Sequence, residues 1–90
     1  MKDLRTSKRF RRDLKRITKR HYNRARLEAV VTLLRQGQQL PHRHRDHGLS
    51  GPWQGSRECH IAPDWLLIYE LTDDEVVLQR TGTHADLFGT

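Results

Sequence analysis

Three histidines stand close together in the stretch PHRHRDHGL, which covers residues 41 to 49. Their spacing could serve metal binding or proton transfer, or it could belong to a solvated basic loop. A closed zinc site needs about four ligands, so His42 and His44 would require Cys59 or His60 to complete one. The sequence contains no C-x-x-C or H-E-x-x-H motif. We therefore predict no metal site and no other cofactor, with His42 and His44 as solvated loop residues.

Three further ionisable residues are predicted to meet at one edge of a β-sheet. Three segments typical of strands are separated by short turn sequences: 57–62, 64–71 and 75–81. Short turns predict an antiparallel meander. His60 and Asp64 then flank the first turn and His84 follows the third strand, so all three lie at the same sheet edge. Each alone is more often a turn or capping residue, and only their joint placement favours a site.

Such a cluster suits acid–base cleavage of RNA. The 2′-hydroxyl of RNA is its own nucleophile, so cleavage needs a base to deprotonate it and an acid to protonate the leaving 5′-oxygen. Histidine fits both roles because its unperturbed pKa of about 6.5 lies near working pH. Arg57 and Arg80 are predicted on strands leading to this edge, where they could stabilise phosphate charge. The alternative is that they pair across strands with Glu58, Glu70 or Glu75.

The charge distribution also indicates a polyanionic partner. Residues 1–45 carry 15 Lys and Arg against 3 Asp and Glu, whereas residues 46–90 carry 2 against 8, within a net charge of +6. Nucleic acid is the commonest polyanion for so basic a surface. The alternative is a charged helix face that only keeps a small protein in solution.

Hydrophobic periodicity predicts an α+β fold. Apolar residues recur at helical spacing in 8–20 and 24–36, which predicts a helical hairpin. The pattern of residues 3–7 predicts an edge strand, with Ser7 as the cap of the first helix. Residues 37–55 are predicted to form a long loop. Thr83 and Asp86 form a capping pattern for a short final helix.

Length and composition limit the class of protein. Ninety residues predict one domain, 1–90. The single cysteine excludes an intrachain disulfide, and no segment is typical of a signal peptide or a membrane span. We expect a cytoplasmic protein that does not contact membranes.

The second half resembles a known toxin family. The run DHGLSGPWQGSRECHIAPDWLLIYEL, followed by LQRTGTHADLFG, is similar to the signature of YafQ-type mRNA interferases of the RelE/ParE superfamily. The resemblance spans residues 46 to 89 with its spacing intact. It implies a RelE-like fold, with an N-terminal edge strand and a helical hairpin packed on a twisted antiparallel sheet and a short C-terminal helix.

The resemblance also implies roles for individual residues. It adds His47 to the proton-transfer set, with His84 as general acid, His47 as base, and His60 with Asp64 as base partner or orienting pair. It implies that Trp65 and Phe88 place the substrate, in addition to Arg57 and Arg80, which are predicted from their strands. The basic residues of the first helix are expected to hold ribosomal RNA: Lys8, Arg9, Arg12, Lys15, Arg16, Lys19 and Arg20.

The implied activity is metal-independent, ribosome-dependent cleavage of mRNA in the decoding site, leaving a cyclic phosphate. The implied partners are the ribosome, mRNA and a cognate RelB/DinJ-like antitoxin in a heterotetrameric complex, with promoter binding by that complex left open. Two alternatives remain. One is a ParE-like gyrase poison, which would not need these histidines, and the other is a non-catalytic RNA-binding module.

Overall fold

Two long helices pack on one face of a mixed five-stranded sheet. The computed structural model describes residues 1–89. The elements follow in this order: β1 (Asp3–Thr6), α1 (Lys8–Lys19), α2 (Arg24–Arg35), β2 (His47–Gly48), β3 (Arg57–Ala62), β4 (Trp65–Leu71), β5 (Glu75–Gly82) and α3 (His84–Phe88). The predicted α+β class and helical hairpin are confirmed. No helix within the described residues is long and apolar enough to cross a membrane.

The sheet order is β1-β5-β4-β3-β2. Strands β3, β4 and β5 form the predicted antiparallel meander, because their short turns force neighbouring strands to reverse. The expectation of an antiparallel sheet is wrong at one edge, where β1 pairs parallel to β5 with Asp3 opposite Glu75. No turn joins these strands, so the direction of β1 is set by the packing of the intervening hairpin and not by local sequence.

The predicted loop 37–55 has more structure than its composition indicates. It contains one-turn 3₁₀ helices at His42–His44 and Gly51–Trp53. It also contains β2, in which His47 lies opposite Glu58 and Gly48 opposite Arg57. Two paired residues leave no recognisable period in the sequence, yet they bring His47 back to the sheet.

The core lies between the helices and the sheet. Helix α1 begins at the Ser7 cap, whose Oγ accepts a hydrogen bond from the Phe10 amide at 2.9 Å. Phe10 and Ile17 are buried. The run Trp65–Tyr69 is buried throughout, as its continuous apolar character predicts. The core-facing residues of α2, β3 and β5 are Leu27, Val30, Val31, Leu34, Cys59, Ile61, Val76 and Leu78.

Ion pairs join α1 to the sheet edge that carries the candidate site. Asp13, buried on α1, accepts hydrogen bonds from Arg80 Nε at 2.7 Å and Nη2 at 3.1 Å and from the Thr81 amide at 3.1 Å. Arg20 donates to both carboxylate oxygens of Asp86, at 2.6 and 3.1 Å. These contacts fix the end of β5 and the start of α3, from which His84 projects.

Candidate active site

His84 and Asp64 form the best-defined pair of the site. Asp64 Oδ1 accepts hydrogen bonds from the His84 amide at 3.0 Å and from His84 Nδ1 at 2.7 Å. The amide and ring hydrogen bonds from His84 hold the pKa of Asp64 below its usual range, so the carboxylate is ionised and can only accept. His84 Nδ1 therefore carries a proton, and Nε2 is the nitrogen left for exchange with a substrate.

His60 completes this corner of the sheet. Its ring centroid is 5.8 Å from that of His84, in an edge-to-face arrangement. The register of β3 shifts between His60 and Ala62, and such a bulge re-aims a side chain. The predicted meeting of His60, Asp64 and His84 at one sheet edge is therefore present in the structure.

The backbone of His60 is held by His44. His44 is 8% exposed, and its Nδ1 lies 2.6 Å from the carbonyl oxygen of His60. The prediction that His44 is a solvated loop residue is wrong, because the 42–44 turn packs the ring against β3. His42 is exposed, as predicted.

His47 reaches the same face of the sheet through β2. His47 lies opposite Glu58, and His60 is two residues further along β3, so the three side chains share a face. A diagonal neighbour of this kind is typically about 7–8 Å away. His47 Nδ1 is 2.8 Å from the Arg45 carbonyl oxygen, and since a carbonyl only accepts, Nδ1 bears the proton. His47 Nε2 lies 3.6 Å from Glu58 Oε1.

A partly buried hydrogen-bond network anchors the segment before His47. The Tyr69 hydroxyl donates to Asp46 Oδ1, and Arg57 Nε donates to the same oxygen at 3.3 Å. Burial raises the pKa of Tyr69, and the hydrogen bond to Asp46 raises it further, so the hydroxyl remains a donor. The alternative that Arg57 pairs with an acidic residue is correct in part. Its partner is Asp46, and it pairs with neither Glu58, Glu70 nor Glu75.

Arg80 and Trp65 are less accessible than substrate-contacting residues were expected to be. Arg80 is 9% exposed and uses Nε and Nη2 on Asp13, which leaves Nη1 outside this pair. Trp65 is 3% exposed, with Nε1 donating to the Thr81 hydroxyl at 2.9 Å and the ring 5.0 Å from that of Tyr22. Arg80 is held by Asp13, and Trp65 by Thr81 and Tyr22, so neither side chain is largely exposed.

The remaining predicted contacts are at the surface. Phe88, the last residue of α3, is 42% exposed. Five of the cations predicted to bind RNA are exposed on α1: Lys8, Arg9, Arg12, Lys15 and Lys19. Arg16 and Arg20 are also exposed, but both approach Asp86, so part of their charge is already compensated.

The sequence prediction missed Glu58, Asp46, Tyr69 and the burial of His44. Glu58 is 6% exposed, and its carboxylate lies 3.6 Å from His47 Nε2. Asp46 precedes His47 in the family-like run, which was the one available signal. Within residues 1–89 no group of three or more His, Cys, Asp or Glu side chains is arranged to hold a metal ion. Burial raises the pKa of the Cys59 thiol, which keeps it protonated and a poor ligand.

The fold and this cluster define a small α+β protein with a histidine–carboxylate cluster at one edge of its sheet. A family description, "Bacterial toxin of type II toxin-antitoxin system, YafQ", matches residues 2–89. The mRNA interferase toxin YafQ of Escherichia coli strain K12 is 44% identical over 98% of this chain and 97% of its own length. The chain belongs to the YafQ family of type II toxin–antitoxin toxins, which confirms the resemblance inferred from the sequence.

Solved structures agree with this assignment. YafQ in the E. coli DinJ-YafQ toxin-antitoxin complex superposes with a TM-score of 0.90 at 44% identity, over 98% of each chain. A copper-bound mutant toxin from Helicobacter pylori gives 0.93 at 38% identity, over 98% of this chain and all of the other.

Proposed function

We propose that this protein is a ribosome-dependent endoribonuclease that cleaves mRNA in the decoding site. The observation that carries the proposal is the Asp64–His84 pair at 2.7 Å with the His60 ring 5.8 Å from that of His84. It supports a metal-independent route, since proton transfer by histidines supplies what attack by a 2′-hydroxyl needs. The named activity of the E. coli relative, mRNA interferase, agrees with it.

His47 is the general base. With Nδ1 bonded to the Arg45 carbonyl, the neutral ring presents a lone pair at Nε2. This atom takes the proton of the 2′-hydroxyl, and the 2′-oxygen forms a bond to phosphorus. Glu58, 3.6 Å from Nε2, stabilises the positive ring that results.

His84 is the general acid. Asp64 stabilises the charged ring and orients it through Nδ1, so Nε2 donates its proton to the leaving 5′-oxygen as the P–O bond breaks. The products are a 2′,3′-cyclic phosphate and a free 5′-hydroxyl. His60, whose ring lies 5.8 Å from that of His84, orients the acid–base pair.

The arginines stabilise the pentacovalent phosphate. Arg80 Nη1 lies outside the Asp13 pair, so it can donate to a phosphate oxygen while the other nitrogens keep the guanidinium in place. Arg57, on Asp46, adds positive potential further along β3. Trp65 holds the start of β4 in place next to the site, and the exposed Phe88 ring stacks on a base of the mRNA.

The outward face of α1 binds ribosomal RNA. Lys8, Arg12, Lys15 and Lys19 lie at helical spacing on the side away from Phe10 and Ile17. Phosphate contacts of this kind position a protein without reading sequence. A DinJ-like antitoxin binds the toxin in a heterotetrameric complex, as expected for a family with a solved DinJ-YafQ complex.

Mapping of RNA ends tests this function. Wild-type protein is incubated with ribosomes and a translated message, and separately with the same message free. We expect cuts only on the translated message, with cyclic phosphate ends, and the same activity from protein that is treated with chelator and dialysed before ribosomes are added. Growth arrest with intact RNA and DNA damage would select a gyrase poison instead. RNA binding that survives loss of every histidine, without cleavage, would select a binding module.

A chelator series addresses metal dependence directly. The Helicobacter pylori relative was crystallised with copper, so copper and zinc are each added back after chelation. If the chelated and dialysed protein does not cleave, and one added metal restores cleavage, the metal-independent route is contradicted. Unchanged rates in all arms support it.

A further inference from the structure

A basic cleft adjoins the histidine–carboxylate cluster at His60. Its cavity of about 340 Å³ is lined by Arg26, Arg43, His44 and Arg45 and by the β3–β4 turn. A smaller cavity of about 170 Å³ shares Arg26, Arg43 and His44 with it. The smaller cavity has an apolar floor formed by Ala29, Val30, Leu33 and Ile61. The cleft thus offers cations at its mouth and apolar surface within.

The cleft arginines differ from those beside the catalytic cluster. Arg57 and Arg80 each donate to an aspartate. In the described part of the chain, no ion pair holds the guanidinium groups of Arg26, Arg43 or Arg45. Three uncompensated positive groups around a concave surface focus a field that attracts an anion.

The loop that carries two of these arginines is fixed in place. His44, between Arg43 and Arg45, is buried and bonded to the His60 carbonyl oxygen at 2.6 Å. Arg45 has φ 46° and ψ 45°, a left-handed conformation that non-glycine residues adopt at an energetic cost. The backbone that carries Arg43 and Arg45 is therefore held in place before any ligand arrives, which lowers the entropy lost on binding.

The cleft is continuous with the catalytic cluster. His60 lines the cleft, and its ring lies 5.8 Å from that of His84. Arg26 also lines a depression of about 280 Å³ that includes Asp64 and Trp65. An RNA strand with its scissile phosphate at His84 would therefore place its adjoining nucleotide in the cleft.

We infer that this cleft is the subsite for the mRNA nucleotide that adjoins the scissile phosphate. Arg26, Arg43 and Arg45 bind its phosphate through charge-assisted hydrogen bonds, and the apolar floor contacts its base or ribose. The inference rests on the proposed ribonuclease function and adds a positioning surface to it.

Paired substitutions on one helix test the subsite. Arg26→Gln and Arg24→Gln are two residues apart in the first turn of α2, but Arg24 is outside the cleft. In single-turnover cleavage of ribosome-bound mRNA, we expect Arg26→Gln to raise the half-saturating concentration about tenfold. The maximal rate and its pH profile should change little, and Arg24→Gln should match wild type. Arg43→Gln, which also changes a cleft residue, should raise the half-saturating concentration as Arg26→Gln does.

A binding experiment separates mRNA from ribosomal RNA as the occupant. In a His84→Gln background, affinity is measured for ribosomes with and without a message in the decoding site. We expect Arg26→Gln to weaken binding only to the programmed ribosomes. Equal weakening on both would overturn the assignment to mRNA.

The two proposals fail in different ways. If wild-type protein cleaves no mRNA on ribosomes, the ribonuclease function is wrong. If wild-type protein cleaves but Arg26→Gln and Arg24→Gln are indistinguishable, the function stands and the subsite is wrong.

Discussion

Asp64 accepts two hydrogen bonds from one residue, His84: the backbone amide donates at 3.0 Å and the ring Nδ1 at 2.7 Å, both to Oδ1. The backbone contact places the start of α3 against the β3–β4 turn, and the ring contact fixes which nitrogen is free. One carboxylate thus determines both the position and the tautomer of the proposed general acid.

Removing the negative charge of Asp64 should lower the cleavage rate more than it weakens mRNA binding. Asp64→Asn keeps the side-chain size but removes the charge that stabilises protonated His84, so we expect the cleavage rate to fall about 100-fold. Single-turnover kinetics on ribosome-bound mRNA measure it. Wild-type rates from Asp64→Asn would contradict the role of the pair.

Glu58 should support His47 although it does not touch the substrate. Glu58→Gln removes the charge beside Nε2 and should lower the cleavage rate about tenfold. Glu70→Gln on β4 is the matched control and should retain wild-type activity. An equal effect of the two variants would show that the loss is not specific to His47.

The buried Asp13–Arg80 pair should be essential for stability. Asp13→Ala leaves a nearly buried guanidinium without its partner, which should lower the free energy of unfolding by about 3 kcal/mol. The double variant Asp13→Leu with Arg80→Met should recover much of this loss in denaturant unfolding. A double variant no more stable than Asp13→Ala would argue against a pairing effect.

Asp86 should make stability depend on acid pH. The Arg20 guanidinium, and then the Thr83 amide, lower the pKa of Asp86 in the folded protein, whereas an unfolded Asp has a pKa of about 3.9. Its contribution is therefore complete above about pH 5 and is lost as pH falls below about 4, because protons then favour the unfolded chain. Asp86→Asn should be about 1 kcal/mol less stable than wild type at pH 7, and this difference should shrink at pH 3. A constant difference would refute the linkage.

The salt dependence of ribosome binding should distinguish the cations of α1 that have no acidic partner within residues 1–89 from Arg20, at the end of α1, which is paired with Asp86. Lys15→Gln and Lys19→Gln should weaken ribosome binding and reduce the slope of log affinity against log salt by about one each. Arg20→Gln should mainly lower stability, because its guanidinium is held by Asp86. A flat salt response of the wild-type protein would exclude phosphate contacts as the source of affinity.

Much of the fold could be predicted because it depends on sequence patterns that span only a few residues. The spacing of Phe10 and Ile17, the Ser7 cap and the short turns around β4 each depend on neighbouring residues. The meeting of His60, Asp64 and His84 followed from these turns alone. The orientation of β1 could not be predicted, because its partner strand is more than seventy residues away.

Sequence by itself therefore determined the helical hairpin, the β3–β4–β5 meander, the family and the three residues at the sheet edge, since periodicity, capping and motif spacing act over a few residues. Only the tertiary structure decided that His44 is buried and holds β3, that Glu58 faces His47, and that Arg80 is bound to Asp13. The physical reason is that burial and charge pairing depend on groups far apart in the chain. Their partners exist only once the hairpin has packed on the sheet and the 42–48 segment has folded back to its edge.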